Sequence, residues 1–434
     1  MSAWTYREAI HLLNRASFGG TPEEIAACVR LGRQESVRRL VAGISLTDQP
    51  EALDDFNDMW VIYLKRRPTG SRITDHSQYW IYRMAYSQAP LVEKMTLFWH
   101  GHFATAQYKV NHVPKMLNQN TLLRQYALGN FRELVHKIGL DPAMLKWLDL
   151  LNSNKSAPNE NYARELMELF TLGIGNYSEQ DVKELARALT GWDDNGVTAF
   201  FKQSFFDSGT KTVLGVTGKL GYTEAVNVVL GHPAFPKFLA KKLLRYFAVD
   251  KPDQLWIDQV ANNIKTMNTI GEVLQNLFNS TEFYNPKYRM AVIKAPADYV
   301  AGTLRALKSR VEANNSSYVV GGMGQELYSP PDVAGWAGGE DWMSGLYGRY
   351  RFAGTIAWTF EGINTSEFKP AQPANPDAWI DMWCTRFGIA ELSVSTRAGL
   401  RSYVNDIIIN SSQPLEGMKG LLQLVLMSPE AQMK

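Results

Sequence analysis

The chain is predicted to be mainly α-helical: one large multi-helix domain with a small inserted β-hairpin near residues 197–215. Three observations predict this. Apolar residues recur at three- and four-residue intervals in most segments, strict alternation is almost absent, and helix caps are frequent. With 434 residues the chain exceeds the size at which a single core usually stops growing. We therefore expect a helical body over residues 1–350 and a C-terminal helical region, 351–434, packed on it.

The elements follow from local signals. "TYREAIHLLNRA" places Arg7, Glu8, His11 and Arg15 among its apolar residues, which suits an amphipathic helix better than a cleavable signal. "TPEEIAACVRLG" has Thr21 as a cap, Pro22 at the first helical position and a stop at Gly32. "YSEQDVKELARALTGW" has Ser178 as its cap and Asp181 three residues on. In "VTAFFKQSFFDSGTKTVLG" two β-prone runs flank Asp207-Ser208-Gly209, so a hairpin turning there is expected. Pro296 opens a further helix, and glycine and proline then collect in a loop over residues 319–345.

Composition removes several function classes. Basic and acidic side chains balance at 45 against 43, which disfavours non-specific nucleic-acid binding. No apolar run approaches the roughly 20 residues of a membrane span. Cys28 and Cys384 are too few for a disulfide framework or a cysteine zinc cage. Lys237, Lys241, Lys242 and Arg245 share helical spacing and read as a solvated face, with contact to an anionic ligand as the alternative.

Two stretches carry candidate chemistry. In "LFWHGHFATA", His100 and His102 stand one residue apart; on a regular helix they would diverge by about 200°, so a shared metal requires the backbone to break, and Gly101 offers the place. In "PNENYARELMELF", Glu160, Asn161, Arg164, Glu165 and Glu168 fill one polar sector. If the two stretches meet, His100, His102 and Glu160 could hold Zn²⁺, Mn²⁺ or Fe²⁺, or imidazole and carboxylate (His100, His102, Glu160, Glu165) could work as an acid–base pair. Otherwise the sector is a solvated face tied by i,i+4 ion pairs, and the rings fill a core. Asn120 and Arg124, with Asn161 and Arg164, suit hydroxyl or anion recognition. Trp336 and Trp342 in the glycine-rich loop suit stacking on a sugar, or anchoring a core.

These segments, together with "HLLNRASFG", "QNTLLRQYALGNFREL", "KTVLG", "GHPAFPKFLAKKL" and "PPDVAGWAGG", resemble a large bacterial family catalogued as domain of unknown function 1800. The resemblance implies a helical fold and one site holding His100, His102, Glu160, Asn161 and Glu165. It also implies a sulfatase- or alkaline-phosphatase-like partner and chemistry on envelope or extracellular polymers. Family members place histidine and aspartate before the glycine of the hairpin turn, whereas this chain has Phe206-Asp207-Ser208-Gly209. The expected function is thus an enzyme acting on a glycan or a phosphorylated or sulfated polymer. The alternatives are a non-catalytic partner or chaperone of an exported hydrolase, and a carbohydrate-binding module using the tryptophans.

Overall fold

The structure, a computed structural model, describes residues 4–47, 72–308, 316–358, 374–410 and 414–434. It is mainly α-helical, with two small antiparallel sheets. The first group of helices is α1 (Tyr6–Ala16), α2 (Pro22–Leu31), α3 (Arg33–Ala42), α4 (Ile73–Tyr86), α5 (Pro90–His102), α6 (Gln107–Val110), α7 (Val113–Gln125), α8 (Phe131–Ile138) and α9 (Pro142–Trp147). α10 (Glu160–Glu165) runs directly into a π-helical turn, Leu166–Thr171, and is followed by α11 (Glu179–Ala188). After the sheets come α12 (Tyr222–Gly231), α13 (Ala234–Phe247), α14 (Gln254–Thr266), α15 (Ile270–Asn279), α16 (Pro296–Leu307) and α17 (Ser316–Gly322). α18 (Leu346–Trp358), α19 (Pro376–Arg386), α20 (Val394–Tyr403) and α21 (Pro414–Met427) complete the chain.

Caps start these helices where the sequence places them. Thr21 accepts the Glu24 amide while the Glu24 carboxylate accepts the Thr21 amide, and Ser178 and Asp181 do the same for α11. α5 differs from the amphipathic helices around it. Eleven of its thirteen residues are buried, including Glu93, Lys94, His100 and His102, so it runs through the core with no solvent face. One hydrophobic cluster extends from Ala9 to Ala431. Residue 350, the expected end of the body, lies inside α18, which packs against α21.

The expected single hairpin is replaced by two. β1 (Trp192–Asp194) pairs with β2 (Ala199–Phe201), and β3 (Lys211–Val213) with β4 (Val216–Gly218). The chain reverses at Asn195-Gly196 and at Leu214-Gly215; Gly196, Leu214 and Gly215 all have positive φ. Asp207-Ser208-Gly209 only connects the pairs: Asp207 is held by Arg187 at 2.8 Å, and Lys211 donates to the Gly209 carbonyl at 3.0 Å. No described helix is long and apolar enough to cross a membrane.

Candidate functional site

Gly101 does not break α5. The helix continues to His102, so the two imidazoles leave on different sides and the expected convergence on one metal does not occur. His100 Nε2 accepts the Tyr328 amide at 3.0 Å, and its ring meets Trp80 and Trp336 edge-on, each at 5.5 Å between centroids. Burial lowers its pKa to about 3. His102 Nε2 donates to the Phe170 carbonyl at 3.0 Å, one of the last carbonyls of the π-helical turn. Phe98, Phe103, Phe131, Phe170 and Phe238 surround that ring. Its pKa falls well below the usual value through burial and, secondly, the Lys242 charge. The tautomer set by Phe170 leaves the Nδ1 lone pair without a hydrogen-bond partner.

Of the carboxylates expected near the histidines, Glu160 and Glu168 are engaged elsewhere. Arg164 joins Glu160 at 3.3 Å and Glu179 of α11 at 2.7 Å, Glu168 accepts the Tyr177 hydroxyl, and Asn161 donates to Asp149 at 3.4 Å. That sector is a solvated face braced against α11, as its i,i+4 spacing allows. Glu165 is half-buried, its pKa raised by burial and then by Glu168. Among the described residues no three His, Cys, Asp or Glu side chains group so as to hold a metal.

Arg124 is also withdrawn from ligand recognition. It binds Glu93 through two bonds of 2.9 and 3.1 Å, beside Arg83 at 2.7 Å and the Trp80 indole N–H at 3.0 Å. Asn120 is buried and its side-chain nitrogen finds no partner.

Of the residues expected in a site, His102 and Trp336 line one hollow of about 390 Å³. Leu97, Phe98 and Gly101 of α5 form one wall with His102; Lys242, Arg245 and Tyr246 of α13 form another. Ala291, Val292, Ile293 and Ala295, the Trp336–Trp342 loop and the Met433–Lys434 end close it. Two glycines dock that loop. A β-carbon on Gly335 (φ +85°) would lie 2.1 Å from the Gly101 carbonyl oxygen, and one on Gly101 would lie 3.4 Å from the Trp336 ring. Gly101 is thus a landing place for the loop and not a helix break.

The hollow's polar groups are unevenly paired. Arg245 meets Asp250 at 3.2 Å, and Lys434 binds the buried Asp298 together with Lys94. Lys242 has no ion-pair partner among the described residues. It is half-buried, lies 5.5 Å from the Phe238 ring centroid, and has its pKa lowered by burial and then by Arg245. The Trp336 indole N–H is likewise buried without a partner. Lys242 and Arg245 belong to the cluster read above as a solvated face. Phe238, four residues before Lys242 on the same helix, was the available signal that this face is partly covered.

The family model described as "Protein of unknown function (DUF1800)" matches residues 11–433. The chain belongs to this family. No curated protein and no solved structure matches it.

Proposed function

Since the family carries no assigned activity, we propose from the hollow itself that the protein recognises an anionic sugar. The observation that carries this reading is Lys242: a half-buried ammonium without a carboxylate partner, in a hollow that also contains Trp336 and Trp342. Indole faces present apolar area to a sugar ring, the ammonium neutralises its acidic group, and Asp250 and Glu340 offer carboxylates to its hydroxyls. The hollow's size falls in the usual range for small-ligand sites. Calorimetric titration with glucuronate, galacturonate and a sulfated hexosamine, against glucose as the neutral control, tests the reading. At least one acidic sugar should bind about tenfold or more tighter than glucose, and Lys242→Met should remove the preference. Equal affinity for glucose, or no binding by any acidic sugar, overturns it.

A further inference from the structure

A second hollow, of about 680 Å³, lies on the other side of the same two cations. It too is lined by Lys242 and Arg245. Its remaining polar wall is Lys237 and Lys241 of α13, His232, Asn176 and Gln254, and no carboxylate lines it. Gly173 (φ +84°) makes the space possible, because a β-carbon there would press to 3.1 Å on Phe238, whose ring sits under Lys242. Lys237 is paired with Asp258 at 2.9 Å, whereas Lys241 has no ion-pair partner among the described residues.

The two hollows differ in chemistry. The first has two tryptophans and two carboxylates, as a sugar ring with hydroxyls requires. The second is lined by four cations and no carboxylate, with Lys237 and Arg245 paired to Asp258 and Asp250 outside its lining. From Lys237 to Arg245 the cations span eight helical steps, about 12 Å along the helix, which is too long for a single acidic group to serve. Lys242 and Arg245 form the ridge between the two spaces.

We infer that the ligand is an extended acidic polysaccharide, one unit seated under the tryptophans and the next crossing the Lys242–Arg245 ridge into the second hollow. This rests on the anionic-sugar reading above. Nucleic acid is the less fitting polyanion, since the first hollow adds Asp250 and Glu340 and the chain is nearly charge-balanced.

The test is a length series on the full chain: galacturonate monomer, dimer, trimer and hexamer, titrated at low and high salt beside single-stranded DNA of matching charge. Affinity should rise about tenfold or more from monomer to trimer and change little beyond it, the gain should shrink with salt, and DNA should bind more weakly. Lys237→Met with Lys241→Met, both exposed positions, should cancel the gain with length. A monomer that binds as well as the trimer overturns the polymer inference and leaves the anionic-sugar reading standing. An absence of any acidic-sugar binding removes both, and DNA binding at equal or greater affinity overturns the choice of polymer.

Discussion

Two sides of α5 carry the same kinds of residue and do opposite things. On one side Glu93 and His100, seven residues apart, lie one above the other, and both hold a neighbouring element in place. Glu93 is bound by Arg83, Arg124 and Trp80, and His100 holds the Tyr328 amide. On the other side Lys94, Phe98 and His102 follow one another at i,i+4. Here the pairing is incomplete: His102 Nδ1 has no partner, and Lys242 across from it has no counter-ion among the described residues. A buried polar group that is satisfied adds rigidity and a unique arrangement. One left open beside a cavity can exchange its unmet bonds for a ligand. By this contrast the Glu93 side is structural, and the His102 side is the one the proposed recognition would use.

The strongest way to break the comparison is to open the closed side. Glu93→Ala leaves Arg83 and Arg124 without their shared carboxylate and should cost about 3–5 kcal/mol in chemical denaturation. A loss below about 1 kcal/mol would mean that the ion cluster is replaceable and the contrast misplaced. Gly335→Val should cost about 3 kcal/mol, because it forces a branched residue to positive φ against the Gly101 carbonyl, and acidic-sugar binding should disappear with the docked loop. Retained binding would detach the loop from the site.

Acid should act on the closed side through His100. Its folded pKa of about 3 lies below the ordinary 6.5, so the unfolded chain takes up the proton first. The neutral ring's contribution is complete above pH 6.5 and is lost as pH falls from 6.5 toward 3. Over the first 1.5 units this amounts to about 2 kcal/mol. His100→Gln can still accept the Tyr328 amide, so its stability should fall less steeply with acid than that of the unaltered chain. Parallel pH curves would refute the assignment.

Much of the fold is legible in the residues, and the reasons are local. Thr21-Pro22, Ser178 with Asp181 and Pro296 start helices through groups within a turn of one another. The hairpins depended on choosing between turn signals, and Asn195-Gly196, an ordinary reversing pair, outweighed Asp207-Ser208-Gly209. The site was less legible because it is long-range. Whether Gly101 broke the helix depended on Gly335, far along the chain, and whether Lys242 was solvated depended on the Phe238 ring beneath it, which packs against the distant Gly173. The carboxylate sector of α10 is charged as well, but Arg164 within it bridges Glu160 and Glu179 of α11.

Two smaller effects sharpen the contrast between those charged faces. Lys242→Met should weaken acidic-sugar affinity about tenfold, or about 1.4 kcal/mol by calorimetry, without loss of stability, since it replaces a desolvated cation by an apolar chain of similar length. Glu160→Gln should change stability by only a few tenths of a kcal/mol in a thermal melt and leave sugar affinity as it is. A larger effect on binding from Glu160 than from Lys242 would reverse the assignment of the site.

The most direct measurement is a crystal structure of the full chain grown with a saturating acidic monosaccharide. The account predicts a sugar in the hollow beneath Trp336, with its carboxylate or sulfate within hydrogen-bonding reach of Lys242 Nζ. A sugar bound instead on the Glu160–Glu168 face, with the Trp336 hollow filled only by solvent, would contradict it.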